Sequence, residues 1–176
     1  MAIDSAPAGT SGRLRALFSF PNPVNEVSAR LVAAGVVVMC ALTIAFDLRW
    51  ATIVIAYGFV ARVLTGPSLS PLGQFVTRVV TPRLGIAERP VAGPPKRFAQ
   101  GMGVAFSVTA LVLTGLGFWT AAEVFLGLLA AAAFLESAFG LCLGCRAFAV
   151  LMRVGVVPEE VCERCNDIWG TGRAAA

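Results

Sequence analysis

Four long apolar segments dominate this sequence and limit what it can fold into. They cover residues 27–46, 50–64, 98–118 and 121–142. A helix needs about 20 largely apolar residues to cross the hydrocarbon core of a bilayer, where it satisfies its own backbone hydrogen bonds. The sequence therefore predicts an all-α fold, a bundle of four transmembrane helices. The second segment is short, and we expect Arg62 to extend it by reaching the lipid headgroups.

The composition also indicates a membrane protein. Of the 176 residues, 57% are hydrophobic and 14% are charged, whereas soluble domains have about 45–50% and about 25%. We expect one integral membrane domain at residues 20–168, with disordered tails at 1–19 and 169–176. The net charge of +4 comes without a basic face interleaved with aromatics, so nucleic acid is not an expected partner. The expected partner is the lipid bilayer.

The basic residues fall on one side of the predicted bundle. They precede the first segment, lie around the long connection between the second and third, or follow the fourth: Arg13, Arg15, Arg62, Arg78, Arg83, Arg89, Lys96, Arg97, Arg146, Arg153, Arg164 and Arg173. The two short connections carry only Arg49. Because cytoplasmic loops are enriched in Arg and Lys, the sequence predicts a multi-pass protein with both termini in the cytoplasm.

The long connection contains an amphipathic segment at residues 71–81. Its apolar side chains recur at helical spacing: Leu72, Phe75, Val76, Val79 and Val80. This pattern predicts a helix that lies in the membrane interface. We expect Pro82 to end it, and Pro90, Pro94 and Pro95 to make a stiff, non-helical lead into the third segment.

Two CxxC pairs follow the last apolar segment. Cys142 and Cys145 form the first pair, and Cys162 and Cys165 form the second after 16 intervening residues. This spacing matches a structural zinc site with four thiolate ligands. A short cysteine-bearing helix that starts near Pro158 could set the second pair opposite the first. Zinc is therefore a candidate cofactor.

The same two pairs suit thiol chemistry. A nearby cation lowers the pKa of a thiol; Arg146 directly follows Cys145, and Arg164 lies between Cys162 and Cys165. Two dithiols could exchange electrons or sulfur through a mixed disulfide or a persulfide. Dithiol chemistry, a structural zinc site and inert thiols all stay open. The chain has no histidine, which excludes catalysis of the Ser-His or Cys-His type. The isolated Cys40 reads as a small buried apolar residue.

Glu136 is the acidic residue deepest in the fourth segment. It precedes Cys142 by about one and a half helical turns. A carboxylate at this depth needs a partner or a function. A salt bridge to Arg30 or Arg97 and a proton-relay role beside the thiols are both open. A small transporter is a further alternative, although paired broken helices, which would mark a midplane site, are not evident.

Three stretches together resemble a known family. They are FPNPVNE at residues 20–26, RFAQG at 97–101 and LESAFGLCLGC at 135–145. They are similar to the bacterial membrane-protein family called domain of unknown function 4395, over about residues 18–166. The resemblance implies a location in the bacterial inner (plasma) membrane. It also implies thioredoxin-like or rhodanese-like partners and, with them, thiol or sulfur traffic. Within the first stretch, Asn25 is a candidate N-cap.

Overall fold

The computed structural model describes residues 24–87 and 89–156, and it confirms the all-α fold. The helices, in chain order, are α1 (Glu26–Ala45), α2 (Ala51–Thr65), α3 (Pro71–Phe75), a π-helical turn (Val76–Val80), α4 (Thr81–Leu84), α5 (Gly93–Gly115), α6 (Trp119–Phe139) and α7 (Leu143–Arg153). Two strands of two residues each, β1 (Val24–Asn25) and β2 (Pro90–Val91), pair antiparallel.

Three of the described helices are long and apolar enough to cross a membrane. Helices α1, α5 and α6 have 20, 23 and 21 residues, with mean hydropathies of 2.1, 1.5 and 1.7. Helix α2 has only 15 residues, or about 22 Å of rise against a hydrocarbon core of about 30 Å. The fold is thus consistent with a multi-pass membrane protein, but the predicted count of four transmembrane helices is not confirmed.

Helices α5 and α6 hold the bundle together. Helix α6 packs against α1 and α5, and α5 also packs against α2. Cys40, Ala110, Ala122 and Leu126 are completely buried in the core between them, so the expected burial of Cys40 is confirmed. Because lipid is as apolar as the helices, the hydrophobic effect does not drive their association, and close van der Waals packing stabilises the bundle instead.

The amphipathic segment is helical beyond its predicted end. Ser70 caps α3 by accepting a hydrogen bond from the Gly73 N–H at 3.2 Å, and the helical course continues to Leu84. The expectation that Pro82 ends the helix is wrong. Proline cannot donate to the carbonyl four residues earlier and its ring crowds that carbonyl. The wider π turn that precedes Pro82 accommodates this, and the chain leaves the helix at Gly85, which has a φ of 60°.

The non-helical lead into α5 is shorter than expected, although Pro90 does lie in it, in β2. The two strands tie the start of α1 to this lead, and the Glu26 N–H donates to the Arg89 carbonyl at 2.8 Å. Helix α5 begins at Gly93, so Pro94 and Pro95 lie inside its first turn and are not part of a non-helical lead. The first turn tolerates proline because its N–H groups have no intrahelical partner. Asn25 caps α1 as predicted, accepting from the Val27 N–H at 3.0 Å.

Candidate functional site

A sharp break separates α6 from α7 and places the first cysteine pair. The fourth apolar segment was expected to stay helical to Cys142, but α6 ends at Phe139, and Gly140 has a left-handed φ of 69°. Arg30 of α1 stabilises this end. Its guanidinium donates to the Ser137 carbonyl at 3.1 and 3.0 Å and to the Ala138 carbonyl at 3.0 Å. A cation here satisfies carbonyls that the helix leaves unpaired.

Cys142 is the N-cap of α7, and Cys145 lies in the first turn of that helix. The Cys142 Sγ accepts a hydrogen bond from the Cys145 backbone N–H at 3.3 Å. Both thiols are free; Cys142 is buried and Cys145 is half-buried. The two cysteines therefore lie next to each other at a helix start and not on the face of a continuous helix.

The two thiols have opposite pKa shifts. A hydrogen bond from the Cys145 thiol lowers the pKa of Cys142, and the Lys96 charge and the Cys145 N–H lower it further. The same thiol–thiol hydrogen bond, together with burial, raises the pKa of Cys145 far above its usual range. Thiolate is the nucleophilic form of cysteine. Within the pair, these shifts favour the thiolate at Cys142 and the protonated thiol at Cys145.

Lys96 supplies the ion pair that Glu136 requires. The Lys96 Nζ lies 2.5 Å from the Glu136 Oε1, and the two side chains are 11% and 18% exposed. The expected pairing of Glu136 with Arg30 or Arg97 is wrong. Arg30 instead caps α6, and the Arg97 Nε donates to the Val63 carbonyl at 3.1 Å. Lys96 precedes Arg97 by one position, which turns its side chain toward the bundle and not away from it.

Arg62 does not reach the headgroups as expected. It is only 6% exposed. Its Nε donates to the Gln100 Oε1 at 3.0 Å, its Nη1 donates to the Ser70 Oγ at 3.2 Å, and its guanidinium lies 4.3 Å from the centre of the Phe59 ring. Arg62 thus joins α2 to α5 and to the N-cap of α3, inside the protein.

These polar groups surround one cavity of about 240 Å³. Helices α1, α2, α5 and α6 form its walls, and the start of α7 closes one side. Its lining is largely apolar, with one polar group of residues: Arg62, Lys96, Gln100, Glu136 and Cys142. Gly144 sets the position of α7, because a Cβ atom there would come within 2.5 Å of the Ala99 Cα. Small-molecule sites share this character of an apolar cleft with a few convergent polar groups.

The remaining predicted site residues do not join this cluster. Arg146 is exposed, and its effect on the thiols stays a prediction. Cys162 and Cys165 lie outside the described residues, as do Pro158 and the predicted helix that follows it. Within residues 24–87 and 89–156, three or more candidate ligands of the His, Cys, Asp or Glu type do not come together. The four-cysteine zinc site also stays a prediction.

Sequence reasoning missed Lys96, Arg62 and Gln100 as site residues. One signal was present: Lys96 is the only lysine in the chain, whereas every other basic residue is arginine. Lysine at a buried position is often chosen for its compact ammonium group. The role of Arg62 was hidden because its position near the end of an apolar segment equally suits a side chain that reaches the headgroups.

The fold and this site together are consistent with a helical, multi-pass membrane protein that carries a cysteine pair at the edge of an internal cavity. The sequence model of the family described as Domain of unknown function (DUF4395) matches residues 24–153. The chain therefore belongs to this family, as its three motifs suggested. No curated protein and no solved structure matches the chain.

Proposed function

We propose that this protein carries out thiol exchange at a membrane, with Cys142 as the attacking thiolate and Cys145 as the resolving thiol. The observation that carries the proposal is the placement of Cys142 at the N-cap of α7, where it accepts the Cys145 N–H and lies near Lys96. The helix dipole, the thiol donor and the ammonium group all favour the thiolate.

The proposed reaction transfers two electrons from the dithiol to a partner disulfide. The Cys142 thiolate attacks one sulfur, forms a mixed disulfide and expels the partner's other sulfur as a thiolate. The Cys145 thiol gives its proton to that thiolate and then attacks the Cys142 sulfur. The products are a Cys142–Cys145 disulfide and a partner dithiol. With a partner persulfide, the outer sulfur would pass to Cys142 and the partner thiol would leave.

The proposed cellular setting follows from the charges and the family resemblance. We place the protein in a bacterial inner membrane with both termini and the dithiol on the cytoplasmic side, and with α2 as a short fourth crossing. The basic ends of the chain support this orientation. A thioredoxin-like or rhodanese-like protein would be the partner, and Cys162 with Cys165 would form a second exchanging pair.

Trapping experiments test the exchange. Cells that express Cys145→Ser are expected to accumulate a mixed disulfide under mild oxidant, because the resolving thiol is absent. Cys142→Ser should accumulate none. Cys40→Ser is the matched control, since Cys40 is completely buried in α1, and it should behave like the wild type. If the wild type and Cys145→Ser never show a disulfide, mixed disulfide or persulfide, the exchange proposal is wrong.

The predicted zinc site is tested on the same samples. Elemental analysis of purified protein would give about one zinc per chain if the two CxxC pairs form a tetrahedral site. That zinc should be lost in each of the four single cysteine variants. Folded protein without zinc, combined with oxidisable thiols, would exclude the zinc site and leave the exchange reaction standing.

A further inference from the structure

We propose that the cavity beside Cys142 binds a small tetrahedral oxyanion of the phosphate or sulfate type, held between Arg62 and Lys96. Both cations line the cavity, and their whole residues are 6% and 9% exposed. This inference does not depend on the thiol reaction, because it rests on the charges, the space and the donors at the site.

The balance of charge in the cavity lining favours an anion. Arg62 and Lys96 supply two positive charges, and Glu136 supplies one negative charge. Lys96 is paired with Glu136. Among the described residues, Arg62 has no carboxylate within salt-bridge distance, and Glu136 attracts it only from farther away. Its direct partners are the neutral Gln100 and Ser70 and the Phe59 ring. Buried charges without a direct opposite charge are costly, and an oxyanion would supply one.

The donors around the cavity suit a tetrahedral oxyanion. A guanidinium presents several N–H groups in a planar fork, and an ammonium group acts as a compact point charge. Cys142, Leu143 and Gly144 bring the positive N-terminal end of α7 to the cavity wall. A volume of about 240 Å³ holds an ion of one central atom and its oxygens together with several waters at about 30 Å³ each.

Equilibrium binding of radiolabelled sulfate provides the test. The full chain, in nanodiscs of phosphatidylcholine, is expected to bind one sulfate per chain in a saturable manner. Arg62→Gln should weaken binding at least about tenfold, which corresponds to the loss of one charge-assisted hydrogen bond. Arg62→Lys should retain more affinity than Arg62→Gln. Arg49→Gln removes a cation at the opposite end of the bundle and should leave binding unchanged.

The role of Lys96 needs a variant that keeps the net charge of the site unchanged. Lys96→Gln alone leaves Glu136 unpaired, so the double variant Lys96→Gln with Glu136→Gln is the informative one. It should fold and should bind sulfate at least about tenfold more weakly. Absence of saturable binding to the wild type, or equal binding by the wild type, Arg62→Gln and the double variant, would overturn the proposal.

Two further experiments are needed. One distinguishes a free oxyanion from a lipid headgroup, and the other distinguishes oxyanion binding from the thiol reaction. Nanodiscs that contain phosphatidylglycerol should leave sulfate binding unchanged if the ligand is a free ion, and should displace sulfate if a lipid headgroup supplies the same chemistry. Cys145→Ser changes a side chain that does not line the cavity, so it should stall thiol exchange at the mixed disulfide and keep sulfate binding. A result in which exchange fails and sulfate still binds would reject only the proposed function.

Discussion

Replacement of Lys96 by methionine tests the central ion pair of the site. Methionine keeps the length and packing of the stem but removes the ammonium group. Glu136 then loses a partner at 2.5 Å while its side chain remains only 18% exposed. Removal of one member of a buried ion pair is costly because the other charge stays buried without compensation.

The structure sets the expected size of this effect. Breaking a buried pair costs about 3–5 kcal/mol, and the adjoining cavity can hydrate Glu136, so we expect the lower end, about 3 kcal/mol. For a domain of this length, that loss lowers the melting temperature by about 6–12 °C. The double variant Lys96→Met with Glu136→Leu removes both charges and should recover to within about 1 kcal/mol of the wild type.

Thermal unfolding in detergent, followed by circular dichroism, measures both variants. The control is Asp47→Asn, which breaks the Asp47–Arg49 pair at the opposite end. That pair spans 4.0 Å, its side chains are 57% and 63% exposed, and such surface pairs contribute about 1 kcal/mol or less. Asparagine also tolerates the positive φ of 55° at this position. If Lys96→Met unfolds at the wild-type temperature, the pair is not the stabilising element described here.

Three other changes probe the surroundings of the dithiol. Gly144→Ala should lower the free energy of unfolding by about 1–3 kcal/mol, because the added methyl group overpacks against the Ala99 backbone. Gly101 has open space around it, so Gly101→Ala should be neutral or stabilising in the same melting assay. Cys145→Ala removes the thiol that lowers the pKa of Cys142. The alkylation rate of Cys142 should therefore rise at higher pH than in the wild type. An unchanged pH dependence of this rate would contradict the assigned hydrogen bond. Arg30→Gln should cost about 1–2 kcal/mol by uncapping α6, measured against the exposed Arg83→Gln as a control without effect.

The helical fold and the family were predictable because they depend on features that extend over many residues. Long apolar segments favour helices in lipid whatever their detailed order, and the N-cap at Asn25 follows from local chemistry alone. The break at Gly140 was harder to see. A glycine in this composition is as compatible with a continuing helix as with a left-handed cap, and Arg30, which stabilises the break, lies more than 100 residues earlier.

The site itself depends on contacts between distant helices, which a single sequence does not encode in any local pattern. Cys142 and Cys145 were found because both lie in one motif. Lys96 and Arg62 were not, because their partners, Glu136 and Gln100, lie 40 and 38 positions away. The π turn before Pro82 shows the same limitation, since the rule that proline ends a helix neglects a wider turn as a way to accommodate it.

The two proposed properties of the cavity must influence each other. Formation of the Cys142 thiolate and binding of an oxyanion both add negative charge to the same cavity. In its lining, Arg62 of α2 and Lys96 of α5 are the cations and Glu136 of α6 is the carboxylate. Helix α1 contributes only apolar residues to the lining. Each event should therefore disfavour the other, and equilibrium linkage makes the effect reciprocal. Saturating sulfate is expected to raise the pKa of Cys142 and slow its alkylation at neutral pH by at least about fivefold, the lower end of common couplings. At a sulfate concentration that just saturates the wild type, the Arg62→Gln variant should be slowed less, because it binds sulfate more weakly. An alkylation rate that does not respond to sulfate in protein shown to bind it would place the ion out of electrostatic reach of the thiol.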